Sequence, residues 1–445
     1  MFDENDWLEF LNYAVTPYHS AAMIREHLKR AGFAEVSMAK PWKMKPGAYL
    51  AKGPAGAMFA WVIGRNYEAG DPISLELAHT DYPCLHIKPN GETGSYYALV
   101  DTDVYGGPIL NTWLDRPLGV AGRVFVRKEK KASAGKTLLP MTLAGRAVRI
   151  GETEHTTEWL VASNGPVMTI PNLAVHYNRE VNKGVELKRQ TDLRPIAGFG
   201  LEKNWLSEYV ATLAGVAPAD VVESDLFAYV AEPAQVVGIH SDMISAPRLD
   251  NQTSCYALLA AIEKAASRKR GLSVAMWFDN EEIGSQTRQG ADSALAPMLL
   301  EKIYDGLEFP AARLSEAVFA GRCLSLDVAH ALHPNHPEKY DEANSARFGD
   351  GVVLKVSSNQ RYTYNPELIA EMREALTAAK VPYAVHTNHS DQPGGSTMGP
   401  LLSSQLPMAT LDAGVPILAM HSARELMAAS DMEAAVRLAE IFFGK

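Results

Sequence analysis

Apolar side chains recur at helical spacing over residues 6–15 and 20–31, with Pro17 between the runs and Gly32 after them, which predicts two short helices. Residues 73–78, I-S-L-E-L-A, read as a short strand that delivers His79, Thr80 and Asp81. From about Cys84 to Val237 the texture changes. Short apolar runs such as Y-Y-A-L-V, R-V-F-V and A-V-R-I are broken by Gly, Pro and Asn and lack a helical period, which predicts a β-rich region. Beyond residue 238, strands alternate with helices: helix 251–268, strands 273–278, 322–327 and 352–356, and helix 366–379. Strands 408–412 and 416–420 are expected to close the sheet, and a terminal helix 430–443 carries Ser430 and Glu433 at capping-box spacing. Alternation of this kind implies a layered α/β fold with a largely parallel central sheet. The expected organisation is one α/β domain, residues 1–84 and 238–445, interrupted by a β-rich insertion at 85–237.

Composition narrows the class. The 445 residues are 47% hydrophobic and 21% charged, enough for a large core, and the formal net charge is -10. An acidic balance argues against a nucleic-acid or anionic-membrane partner, since both want a basic face. Three cysteines without C-x-x-C spacing make a disulfide framework unexpected. The N-terminal stretch M-F-D-E-N-D-W lacks the pattern of a secretory signal, and no apolar run is long enough for a bilayer. The expected location is the cytoplasm.

The chemical question is posed by residues 273–286, S-V-A-M-W-F-D-N-E-E-I-G-S-Q, where an apolar strand empties into two adjacent glutamates. Burying either carboxylate unpaired is costly. Ligands of open α/β sheets bind beyond the carboxyl ends of the strands. The tips here carry His79 and Asp81, Asp250, Glu281 and Glu282, Asp327 with His330, and His421. One acidic residue at a strand end is ordinarily a cap, and one histidine is ordinarily a hydrogen-bonded core residue. Recurrence at five tips points elsewhere. Imidazole and carboxylate donors without cysteine suit zinc, with manganese or cobalt as substitutes. Two divalent ions would compensate the carboxylates. Successive residues past a strand point in different directions, so one glutamate can hold metal while its neighbour takes a proton from water.

The stretches A-H-T-D-Y-P-C-L (78–85), S-A-P-R-L-D-N-Q-T-S-C (245–255), D-N-E-E-I-G-S (279–285), S-L-D-V-A-H-A-L-H-P-N (325–335) and A-M-H-S-A-R-E (419–425) together resemble the aspartyl aminopeptidase family, cytosolic dinuclear metallopeptidases that remove an N-terminal residue. The resemblance implies a layered α/β/α metallopeptidase domain, a dimerisation role for 85–237, and a homo-oligomer, a tetrahedral dodecamer built from dimers. It implies that Asp250 bridges two divalent ions, that His79 and Asp327 complete one site, and that Glu282 and His421 complete the other. Glu281 would be the general base and Asp81 would orient the His79 imidazole. His176, in P-N-L-A-V-H (171–176), matches a histidine that reaches into a neighbouring subunit's site; the family often has a second histidine where this chain has Asn172. Lys355, in V-V-L-K-V-S, matches a lysine that pairs with an acidic substrate side chain, and His330 and the glycine-rich loop 389–400 would line the pocket. The implied substrates are peptides, with Asp or Glu preferred at the N-terminus. Alternatives are a broad or neutral aminopeptidase or a deacylase on the same scaffold. A non-catalytic oligomeric scaffold is more distant, because it predicts a damaged ligand set and all five ligand positions and the base are present.

Overall fold

The structure is a computed structural model that describes residues 2–128, 147–392 and 394–444; residues 129–146 of the expected insertion and Pro393 of the glycine-rich loop lie outside the described residues. The chain divides into two compact units, Met1–Asp81 with Ala234–Met420 and Glu425–Lys445, and Tyr82–Pro233 with His421–Arg424.

The first unit is built on a nine-stranded sheet whose order is Ala34–Val36, Gly47–Lys52, Met58–Ile63, Leu272–Phe278, Ile73–His79, Arg322–Leu326, Ala409–Gly414, Val352–Lys355 and Tyr383–His386. The four strands from Leu272–Phe278 to Ala409–Gly414 are mutually parallel. All seven residues of Leu272–Phe278 and all six of Met58–Ile63 are buried, which is why these segments read as continuous apolar runs rather than alternations. One sheet face packs Ile73, Leu75, Leu77, Val274, Met276 and Phe278 against Leu299, Leu300, Ile303 and Leu402 of the helices Leu295–Gly306 and Met398–Gln405. The helices Leu249–Ala265 and Ala429–Gly444 pack on each other and on the strand Ile73–His79. The second unit carries a seven-stranded sheet, antiparallel at every pairing, in the order Ile196–Phe199, Tyr97–Tyr105, Cys84–Thr93, Val221–Val230, Leu118–Arg127, Thr156–Ala162 and Val148–Glu152.

Several elements depart from the sequence expectation. Pro17 opens the second helix, Pro17–Arg30, at its first position, and the Thr16 hydroxyl accepts the His19 N–H. The strand Val352–Lys355 runs antiparallel to Ala409–Gly414, so it enters the sheet against the direction of the central four. Pro416–Leu418 does not close that sheet. It joins a separate five-stranded one with Gln235–Val237, Met243–Ala246, Glu425–Ala428 and Ala329–His330. That pairing carries Glu425–Ala428 straight into the last helix at Ala429, so Ser430 lies inside the helix and the capping-box spacing is not used. Asp431 instead accepts the N–H groups of Gly349 and Gly351, both at 3.0 Å.

Glu76 lies fully buried in the central sheet, and neither carboxylate oxygen has a hydrogen-bond partner among the described residues. Burial pushes its pKa well above the ordinary value of 4.5, against the opposing pull of Arg322 and Arg268. The unfolded chain releases this proton near pH 4.5 while the folded chain keeps it, so the contribution is complete below that pH and is lost as pH rises. Relative to Glu76→Gln, the wild type is expected to lose up to about 1.4 kcal/mol of stability per pH unit in this window. Urea unfolding of both proteins from pH 5 to 8 reads the difference, and parallel profiles would contradict a carboxyl buried in its neutral form.

Candidate metal centre

The two adjacent glutamates, Glu281 and Glu282, are placed by a tight turn. After Phe278 ends its strand, Asn280 adopts a left-handed conformation (φ 67°) and a 3-10 turn spans Glu281–Ile283. Asn280 tolerates that conformation because its side chain bonds locally: its amide oxygen accepts from Thr287 Oγ1 (3.0 Å) and Gln289 Nε2 (2.7 Å). Asp279 anchors the turn from below by accepting the N–H of Gly56 at 2.9 Å. The N–H groups of Glu281 and Glu282 both point at Asp81, donating to its two carboxylate oxygens at 3.1 Å each. Asp81 therefore does more than face His79. Its carboxylate holds the two-glutamate turn, its Oδ1 lies 3.4 Å from His79 Nδ1, and its main-chain oxygen is nearer that nitrogen, at 3.1 Å.

With Nδ1 turned toward Asp81, His79 presents Nε2 to Asp250 Oδ1 at 3.5 Å and to Asp327 Oδ1 at 3.7 Å. His79, Asp250 and Asp327 form one group whose ligand atoms lie within 4.8 Å of one another, and His79, Glu281 and Glu282 form a second. Donor atoms on one tetrahedral zinc, at about 2.0–2.2 Å from the ion, stand about 3.3–3.6 Å apart, so the separations in the first group fit a shared cation. Asp250 reaches this point because Arg248 is left-handed (φ 63°) and Asp250 itself is non-helical at the head of its helix. Its N–H donates to Glu425 Oε2 at 3.0 Å. Asp327 leaves the strand Arg322–Leu326 beside Gly414, where a Cβ would stand 1.7 Å from the Asp327 carbonyl oxygen, so only glycine permits this approach.

Electrostatics follow from the crowding. Burial disfavours the charged His79, but Asp250, Asp327 and Asp81 outweigh it and raise its pKa well above the ordinary histidine value. Burial, with repulsion from Asp327, Asp81 and Asp250, pushes the Glu281 carboxyl up to about 8 against the attraction of His79. A divalent cation among these groups would reverse that penalty.

Lys355 is buried, with Nζ 3.8 Å from Asp327 Oδ2 and 5.0 Å from the centre of the Tyr362 ring. Its pKa is raised although burial opposes the charge, Asp327 being the largest of the carboxylates that hold it. His330 is half-buried, its ring 6.4 Å from that of His386. Burial and the nearby His386 and Lys355 push its pKa down to about 4. His421 belongs to the stretch that groups with the second unit, where its Nδ1 lies 3.1 Å from the Gly107 carbonyl oxygen. His176 also lies in the second unit, on an exposed segment, and Asn172 donates through its backbone N–H (2.8 Å) and side-chain amide (2.7 Å) to Asp115.

Sequence reading passes over the polar residues that tie the helix Leu249–Ala265 to the strand tips. Asn251 Nδ2 donates to the Leu326 carbonyl at 3.0 Å, Gln252 Nε2 to Thr80 at 2.8 Å, and Cys255 Sγ to the His79 carbonyl at 2.9 Å. Their available signal is an unbroken run of polar side chains, residues 250–255, in the first two turns of a helix that is apolar through its middle.

Residues 10–139 and 138–443 match the family model described as Aminopeptidase I zinc metalloprotease (M18). The chain belongs to the M18 aminopeptidase family. It is 37% identical over 435 residues to the probable M18 family aminopeptidase 2 of Clostridium novyi, covering 96% of this chain and 95% of that one. It is 33% identical over 480 residues to aspartyl aminopeptidase 4 of Saccharomyces cerevisiae, covering 98% and 94%. Among solved structures, Ape4 in its complex with Nbr1 superposes with a TM-score of 0.89 at 31% identity, over 99% of this chain and 85% of that one. The crystal structure of prApe1 gives a TM-score of 0.90 at 25% identity, over 99% and 93%. As an M18 member the protein is a metallo-exopeptidase, and the His, Asp and Glu donors suit the zinc of the family description. No helix among the described residues is long and apolar enough to cross a membrane.

Asp250→Ala is expected to lose most bound zinc by elemental analysis. Activity should fall by more than the roughly 10–100-fold typical of removing an outer-shell partner. Zinc content equal to the wild type would exclude Asp250 as a ligand.

Proposed function

We propose that this M18 enzyme removes acidic residues, Asp or Glu, from peptide N-termini, using two divalent ions. The observation that carries the reading is Lys355: a lysine buried beside a metal ligand, with a 3.8 Å approach to Asp327. A cation buried there costs desolvation energy, which a substrate carboxylate offsets. Relatives in yeast and Caenorhabditis elegans, 33% and 32% identical, carry the name aspartyl aminopeptidase and support the same reading.

In this proposal Asp250 would be shared by both ions, His79 and Asp327 would complete one site, and Glu282 and His421 the other, His421 through the ring nitrogen not turned to Gly107. When bound, the ions supply Lewis acidity for the scissile carbonyl and lower the pKa of the attacking water. Glu281 accepts the water proton and delivers it to the departing amine. Asp81 holds the turn so that Glu281 and Glu282 diverge. Lys355, with His330 beside it, receives the substrate's acidic side chain. The β-rich unit serves dimerisation, and His176 is offered to the site of a neighbouring copy. A homo-oligomer is supported by an Ape1 structure described as a dodecamer, and the cytoplasm is the proposed location.

Glu281→Gln is expected to keep its zinc while kcat falls by roughly 10²–10⁴. Near wild-type turnover would remove Glu281 from the base role. Lys355→Met is expected to lower kcat/KM for Asp and Glu substrates, relative to a Leu substrate, by roughly 10–100-fold, the loss of one charge-assisted hydrogen bond. If wild-type enzyme hydrolyses Leu as well as Asp, the broad aminopeptidase takes its place.

A further inference from the structure

The strand Tyr383–His386 is the edge of the nine-stranded sheet, and its burial is inverted. Tyr383, Ala384 and Val385 are half-buried, whereas the polar His386 is buried, with 3% of its surface exposed. An edge strand that shelters a histidine and leaves a valine half in solvent is not placed by apolar burial. His386 pairs with Lys355 in parallel register, so the two side chains leave the same face of adjacent strands. Its Nε2 lies 3.2 Å from the Asn388 side chain, while its Nδ1 is buried without a hydrogen-bond partner among the described residues. Such an orphan nitrogen costs folding energy. The atom facing Nε2 is Asn388 Oδ1, which accepts the Nε2 proton; with the amide turned over its NH2 group donates to Nε2, and Nδ1 then carries the ring proton and can donate it. His330 stands opposite, its ring 6.4 Å away, so His330, Lys355 and His386 gather on the side of Asp327 that faces Lys355.

We propose that His386 is a second recognition donor for the acidic side chain of the substrate, and that it selects glutamate. The inference rests on the acidic-substrate reading above. Lys355 reaches within 3.8 Å of Asp327, whereas His386 stands one strand further toward the sheet edge, about 4.8 Å by the usual spacing. A carboxylate held close to the metal ligands, as in aspartate, meets Lys355. The additional methylene of glutamate carries the carboxylate outward, toward Nδ1 of His386.

The test compares kcat/KM for N-terminal Glu and Asp substrates in the zinc-loaded enzyme, wild type against His386→Phe, which keeps a ring against His330. The Glu/Asp ratio is expected to fall at least tenfold. His386→Asn, whose amide nitrogen takes about the place of Nδ1, is expected to recover most of it, and His386→Gln is not. If the Phe variant does not accumulate as folded protein, His386→Leu replaces it. A ratio within twofold of wild type, a ratio that rises, or equal rescue by Asn and Gln overturns the proposal. A wild type that does not distinguish acidic from neutral substrates overturns the acidic reading itself, and shows it before any variant is made.

Discussion

Asp250, Asp327, Glu281 and Glu282 crowd around one buried imidazole, and in a low-dielectric interior their mutual repulsion has to be met by positive charge. Protein groups meet only part of it: the surrounding carboxylates raise the affinity of His79 for a proton, and Lys355 stands on the far side of Asp327. The zinc of the M18 description would supply the remaining charge, and the donor separations around His79 Nε2 are those a small cation accepts.

That arrangement needs rigid tips. Four parallel strands, almost entirely buried, end side by side, and the helix Leu249–Ala265 is laced to them by Asn251, Gln252 and Cys255. Each of these bonds uses a buried polar group that would be costly if left alone, so the helix has one position in which all three are satisfied. Asp81 plays the same part for the double-glutamate turn. Its carboxylate spends both oxygens on backbone N–H groups, which fixes the directions in which the two glutamates leave. Gly414 and Asn280 carry the conformational freedom: one lets two backbones touch, the other lets the chain turn left-handed.

On the other side of Asp327 the chemistry changes sign. Lys355 and His386 descend from strands that run against the central four, so they approach the ligands from a direction that a simple strand-end rule does not anticipate. The result is a cluster in which Asp327 stands between two cationic side chains, its Oδ1 3.7 Å from His79 Nε2 and its Oδ2 3.8 Å from Lys355 Nζ.

The runs 273–278 and 73–78 are legible as buried strands because their apolar content is a local property of the chain. The double glutamate, the histidines at strand tips and the change to β texture after residue 84 are likewise visible in the linear order, and with them the α/β class. Less accessible are features set by partners distant in sequence. The reversed strand Val352–Lys355 has the same composition as a parallel one, because direction is decided by which edge it joins. Ser430 has a cap's spacing, but the pairing of Glu425–Ala428 with Met243–Ala246 starts the helix a residue earlier. Asn251, Gln252 and His386 look like unremarkable polar residues until the backbone of another segment, or its absence, stands beside them. Sequence alone determined which chemical groups are available and roughly where along each element they fall. Only tertiary structure decided which of them share a volume, because repulsion, hydrogen bonding and coordination depend on distances of a few ångströms that no spacing along the chain records.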